Sequence, residues 1–230
     1  MMGKQALRRL AGTLLAIGGL LGLLAGVLHP QGGVGGNFHQ VVTAMLGSAQ
    51  WPVAHWLALT YGLSATWALW LLLDSGWLSE FPVAWAGARL AIVAGLFMSV
   101  QFAVELASRV ELNAYAAGQP ASLLALVEPM QTVGWPALGL GYALLALGAP
   151  ASAPLLVRAA GALGAAALFV GGVAVEGFHL APLGPLFAVG GLTFVWLIWT
   201  GARLALGRER LQQPAGQRKR DTASLAGSES

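Results

Sequence analysis

Six stretches of the chain carry no polar period. Leu10–Leu28, Pro52–Leu73, Val83–Ala107, Leu123–Leu147, Leu155–Val175 and Pro182–Leu204 are apolar nearly all round. They show neither the alternation of a half-buried strand nor the charged stripe of a surface helix. Each has about the 20 residues that a helix rising 1.5 Å per residue needs to cross a hydrocarbon core of about 30 Å. The pattern predicts an all-α integral membrane protein, a six-transmembrane-helix bundle over residues 1–207. Between the first two spans, Gln31–Gly36 reads as a glycine-rich turn. Asn37 can then cap a short helix over Phe38–Ala49, with Phe38, Val41, Val42, Met45 and Leu46 on one side. That asymmetry suits an interfacial helix in the first outer loop. Residues 208–230 have no apolar period and read as a disordered basic cytoplasmic tail beside anionic lipid headgroups.

Composition agrees. The chain is 57% hydrophobic and 9% charged, whereas a soluble domain carries about 25% charged residues. The absence of cysteine excludes disulfides, thiolate metal sites, iron–sulfur clusters and covalently attached haem. The pI of about 9.8 reflects a net charge of only +3, concentrated beside apolar runs, so lipid is the expected partner and nucleic acid is not. A membrane-protein partner or a second copy of the chain is also compatible with so apolar a surface.

Charge also sets direction. With the N-terminus inside, Lys4, Arg8, Arg9, Arg89, Arg158, Arg203, Arg208, Arg210, Arg218, Lys219 and Arg220 fall on the cytoplasmic side, and only Arg109 falls outside. Positive loops stay inside, so a multi-pass protein of the cell membrane with both termini cytoplasmic is expected. Lys4, Arg8 and Arg9 before the first span resemble a secretory signal, but the apolar run is longer than a cleavable one and no convincing cleavage site follows. Arg89 and Arg158 lie near the starts of their spans, where long side chains reach the headgroups. Trp51, Trp56, Trp77, Trp85, Trp196 and Trp199, near predicted span ends, read as interfacial anchors.

Under this orientation the groups able to titrate or ligate gather on one side. His29, His39, His55 and His179, which are all the histidines of the chain, lie in the extracytoplasmic half with Glu105, Glu128 and Glu176. Helical spacing turns them inward. His29 continues the Gly18, Gly22, Gly26 stripe; Gln101, Glu105 and Ser108 share a face; so do Glu128, Gln131, Thr132 and Trp135; Glu176 and His179 continue the face of Gly161, Ala165 and Gly172. Glu128, about 8 Å into its span, requires a partner, a proton or water. Blander readings are an i, i+4 pair between Glu105 and Arg109, and Glu111 as ordinary loop.

Glu176-Gly177-Phe178-His179 has the Glu-x-x-His spacing of carboxylate-bridged di-metal bundles, in one copy where those bundles use two. With His29, His55, Glu105 and Glu128 it makes a candidate ligand set for a transition metal such as Zn, Fe, Mn or Cu. Alternatively, His29 or His55 with His179 offers axial ligands to a b-type haem. Redox or hydrolytic chemistry would follow from either. Two other classes fit: a proton-linked small-solute transporter, disfavoured by the few polar residues (Thr60, Ser64, Thr66) of the inner halves, and a structural or assembly subunit. No H-E-x-x-H, G-x-S-x-G or Walker loop occurs, so no catalytic residue is assigned.

Overall fold

The computed structural model describes residues 3–30, 38–149, 153–178, 180 and 183–208. The basic tail beyond Arg208, the Gln31–Gly36 turn, Asn37 and His179 lie outside the described residues. Eight α-helices follow in order: α1 (Lys4–Leu28), α2 (Phe38–Gly47), α3 (Gln50–Asp74), α4 (Pro82–Ser108), α5 (Leu112–Ala116), α6 (Ser122–Gly148), α7 (Leu155–Gly171) and α8 (Leu186–Ala205). A 3-10 turn (Arg109–Glu111) links α4 to α5, and a π-helical turn (Gly172–Gly177) extends α7. No strand occurs among the described residues.

Among the described residues, five helices are long and apolar enough to cross a membrane: α1, α3, α4 with its continuation to Ala116, α7 with its π turn, and α8. The window expected over Leu123–Leu147 is helical, with 27 residues in α6, but is not among the five. Glu128, Pro129, Gln131, Thr132 and Pro136 dilute its first half.

The long helices pack in chain order: α1 on α3, α3 on α4, α4 on α6, α6 on α7, α7 on α8, and α8 back on α1. The result is a closed ring of six helices. Its outer faces carry large apolar side chains, with Leu20, Val27, Trp67, Val93 and Leu163 all half or more exposed. Its interior interleaves alanine and glycine with large residues, among them Leu15, Leu69, Leu138 and Leu197. Small residues let backbones approach where apolar attraction between helices is weak. At the crossing of α1 and α8, a Cβ added to Gly12 would meet the Ala205 nitrogen at 2.5 Å and the Gly201 carbonyl at 2.6 Å.

The arginines near span starts find partners. The Arg158 guanidinium donates to the carbonyls of Leu147 (2.6 Å) and Ala146 (3.3 Å) at the end of α6, and Arg89 lies 4.2 Å above the Trp85 ring. Glu111 does more than its loop position suggested: its carboxylate accepts from the backbone N–H groups of Leu123 and Leu124 and from the Ser122 hydroxyl. That caps the first turn of α6, whose N–H groups have no intrahelical partner. The tryptophans divide. Trp56, Trp85 and Trp199 face outward, whereas Trp51, Trp77 and Trp196 are buried, so the anchor reading does not hold for the latter three.

Candidate functional site

One end of the ring is polar: the end where α1 and α4 finish, α3, α6 and α8 begin, and the π turn follows α7. Glu105 is at its centre. Gln101, Glu105 and Ser108 share the inward face of α4, all at most 4% exposed. Gln131 of α6 donates to Glu105 Oε1 at 2.6 Å, and Gln101 donates to the same oxygen at 3.3 Å. Oε2 faces His55 Nε2 of α3 at 3.3 Å. The bland alternative, pairing of Glu105 with Arg109, gives way to this contact with His55.

The histidine tautomer follows from its other side. His55 Nδ1 lies 2.7 Å from the Trp51 carbonyl. A carbonyl only accepts, so Nδ1 carries a hydrogen. Nε2 and Oε2 would then present two lone pairs to each other unless one proton lies between them. Whether written as imidazolium with carboxylate or imidazole with carboxylic acid, the pair holds that proton and is neutral as a unit. Its surroundings are rigid. The Glu105 carbonyl accepts from the Trp51 indole N–H (3.0 Å) and the Ser108 hydroxyl (2.7 Å), and the Trp51 ring lies 3.9 Å from the His55 ring, centre to centre.

His29, just past α1, brings its ring 5.3 Å from that of His55. Burial lowers its pKa from the ordinary histidine value, and His55 works in the same direction. Glu176 is carried by the π turn, within electrostatic reach of Glu105 and Glu128. One hydroxyl ties that turn to α6: Thr132 lies 3.0 Å from the Glu128 carbonyl and 3.1 Å from the Glu176 carbonyl, and both accept from it. π turns shift the helical register and recur at functional sites.

These groups border one cavity of about 780 Å³ to which all six ring helices contribute. His29, His55, Glu105, Gln131 and Glu176 occupy its polar end. Leu23, Tyr61, Phe102, Trp135, Leu168, Phe187 and Phe194 line the remainder. Trp135 makes edge contacts with Phe102 (6.0 Å) and Phe187 (5.6 Å), as does Tyr61 with Phe194 (5.0 Å). Beneath the cavity, the Tyr61 hydroxyl donates to that of Tyr142 at 3.1 Å, within the packed layer of Leu15, Leu138 and Leu197.

Four of the six expected site residues, His29, His55, Glu105 and Glu176, therefore border one space. Glu128 does not: it is exposed at the start of α6 and lines no part of the cavity. His179 lies outside the described residues. His39 packs on Tyr115 of α5, ring centres 4.5 Å apart, away from the cavity. Among the described residues no group of three or more acidic or histidine side chains is arranged to hold a metal ion, and both ring nitrogens of His55 are engaged. Of the aromatic wall, sequence reasoning turned only Trp135 inward; it missed the other rings and the Tyr61–Tyr142 pair, since rings inside apolar spans carry no distinguishing period. Comparison with family models, curated proteins and solved structures gives no match.

Proposed function

We propose that this is a six-span membrane protein whose helix ring encloses a binding chamber for a small amphiphilic molecule. The ligand's polar head would sit against the proton-sharing His55–Glu105 pair, its apolar body against the aromatic wall. The observation that carries this reading is the cavity, polar at one end and apolar along the rest. Ligand sites are concave and mostly apolar, with a few convergent polar groups. The pair gives the chamber a proton to offer or accept beside the head, which is acid–base chemistry. In this reading α6 spans as well, despite its polar first half, because Gln131 and Thr132 turn to neighbouring helices and the exposed Glu128 lies near the outer end of the span. The charge asymmetry puts both termini, and the basic tail of residues 208–230, in the cytoplasm. The chamber then opens in the extracytoplasmic leaflet, with α2 along the interface. The packed layer of Leu15, Leu69, Leu138 and Leu197 closes the other end, which favours a binding chamber over a through-path for a transported solute.

The test is to purify the protein in lipid nanodiscs and identify extracted small molecules by mass spectrometry, beside Ala58→Phe, which puts a ring into the chamber. An amphiphile near one equivalent in the wild type and absent from the variant is expected. Failure of the folded wild type to retain or take up any amphiphile would remove the reading.

The second reading is a metal ion or b-type haem. The observation that favours it is that His29, His55, Glu105 and Glu176 border the same cavity. It requires His55 to give up one of its present contacts. Elemental analysis and a visible spectrum of the purified protein test it directly: stoichiometric metal or a Soret band, lost in His29→Ala or His55→Ala, would establish it over the chamber of a purely organic ligand.

A further inference from the structure

Among the described residues, the chamber offers Glu176 no lysine or arginine. The His55–Glu105 pair is neutral as a unit, since it holds one shared proton. His29 is half-buried beside it, with a pKa lowered by burial and by His55, and is therefore neutral near pH 7. Glu176 remains, facing the cavity within electrostatic reach of Glu105 and Glu128. A half-buried carboxylate near two others is relieved by a proton, or by a cation that displaces that proton when it binds. An inorganic cation needs several oxygen ligands at about 2.0–2.6 Å, and the described residues provide no such group. An ammonium bonded to an apolar body has lesser demands: one carboxylate at its head and ring faces around it. Glu176 supplies the first, and Trp135, Phe102, Phe187, Tyr61 and Phe194 are the available rings.

The same cavity has an opening. At one end of the bundle α1 and α8 touch: a Cβ added to Gly12 would collide with α8 backbone, and one added to Gly19 would meet the Phe194 carbonyl at 2.9 Å. Two turns further the helices have separated. A Cβ at Gly26 meets nothing within 4 Å, and one at Gly191 meets only the tip of Leu23 at 3.9 Å. Gly26, Val27 and Ala188 line the cavity and are exposed, Val27 at 74%. α8 leans instead towards α7, where a Cβ at Gly164 would run into the Thr193 backbone. The gap therefore faces the side of the ring, where the bilayer would be.

We propose that the chamber takes a cationic amphiphile, an organic ammonium on an apolar body, which passes from the bilayer between α1 and α8 and places its head at Glu176. This deepens the chamber reading and rests on it.

The test compares radiolabelled dodecyltrimethylammonium with radiolabelled dodecanol, the same tail with and without the charge, both below micelle-forming concentrations. Binding is measured in nanodiscs containing the protein, after subtraction of empty discs. The cation is expected to bind saturably at one per protein, about tenfold or more tighter than dodecanol. Glu176→Gln, and independently Trp135→Leu, should each weaken it about tenfold with the fold intact by circular dichroism. Gly26→Leu, whose side chain would enter the gap, should slow association severalfold. Equal binding of both probes, or indifference to both chamber variants, would overturn the ammonium assignment while leaving a chamber for amphiphiles. Unchanged association in Gly26→Leu would overturn the lateral route. Absence of saturable binding by either probe would remove the chamber reading itself.

Discussion

Replacement of Glu105 by leucine is the sharpest test of the polar end, because three groups converge on one carboxyl. Gln101 and Gln131 donate to Oε1, and the His55 side shares its proton with Oε2. Glutamine is the wrong probe here, since its oxygen can replace Oε1 and its N–H₂ can donate to the Nε2 lone pair of neutral His55. Leucine keeps much of the volume and offers no acceptor, so the Gln101 and Gln131 amides lose this partner and His55 loses the shared proton. An unsatisfied buried polar group costs about 1–3 kcal/mol, and breaking a buried pair by removing one partner costs about 3–5 kcal/mol. Glu105→Leu should therefore destabilise the protein by about 2–4 kcal/mol. His55→Phe keeps a ring against Trp51 and removes the shared proton. If the two side chains act as one unit, the second change should cost much less in the presence of the first, with a coupling energy of about 1–3 kcal/mol. Equilibrium unfolding in mixed micelles of both single variants and the double variant measures that coupling. Additivity within about 0.5 kcal/mol would refute the shared-proton pair, and with it the neutral unit from which the charge of the chamber was reckoned.

Two further outcomes follow from the helix ring and from His29. Gly12→Ala should cost about 1–3 kcal/mol, since its methyl meets α8 backbone atoms that cannot yield without parting the helices; Gly26→Ala, with open space around it, should be neutral or stabilising by up to about 1 kcal/mol through helix propensity. Equal effects of the two in thermal unfolding would contradict the splay of α1 from α8. Because burial holds the folded-state pKa of His29 below the ordinary 6.5, the unfolded chain binds a proton more readily than the folded one. Stability should then fall as pH is lowered through about 6.5. His29→Gln should flatten the dependence of the melting temperature between pH 7 and 5; an identical slope in the two proteins would show that His29 is not held neutral by the fold.

The level of the site was legible in the sequence, but its pairings were not. Helical spacing plus alternating span direction is enough to bring His29, His55, Glu105 and Glu176 to one end of a bundle, because height along a helix is fixed by residue number. Rotation about the axis is less secure. Glu128 sits three residues before Gln131, and the two were read as one inward face, yet the structure turns Gln131 to Glu105 and leaves Glu128 exposed. A wide face on a helix with prolines at 129 and 136 does not say which edge a neighbour will cover. Glu176 reached the cavity on a π turn, a change of register invisible to a 3.6-residue template. Trp51 read as an anchor because tryptophan near a span end usually is one. Here its indole N–H finds the Glu105 carbonyl and its own carbonyl fixes the His55 tautomer, so the residue that orients the candidate acid–base pair carried the signal of a lipid contact. The inward polar stripes point to a cavity at this end of the bundle, but its apolar depth had no sequence signal. It exists because α8 follows α7 and leaves α1 beyond Gly22, and that choice depends on how the glycines of three helices mesh rather than on the pattern along any one of them.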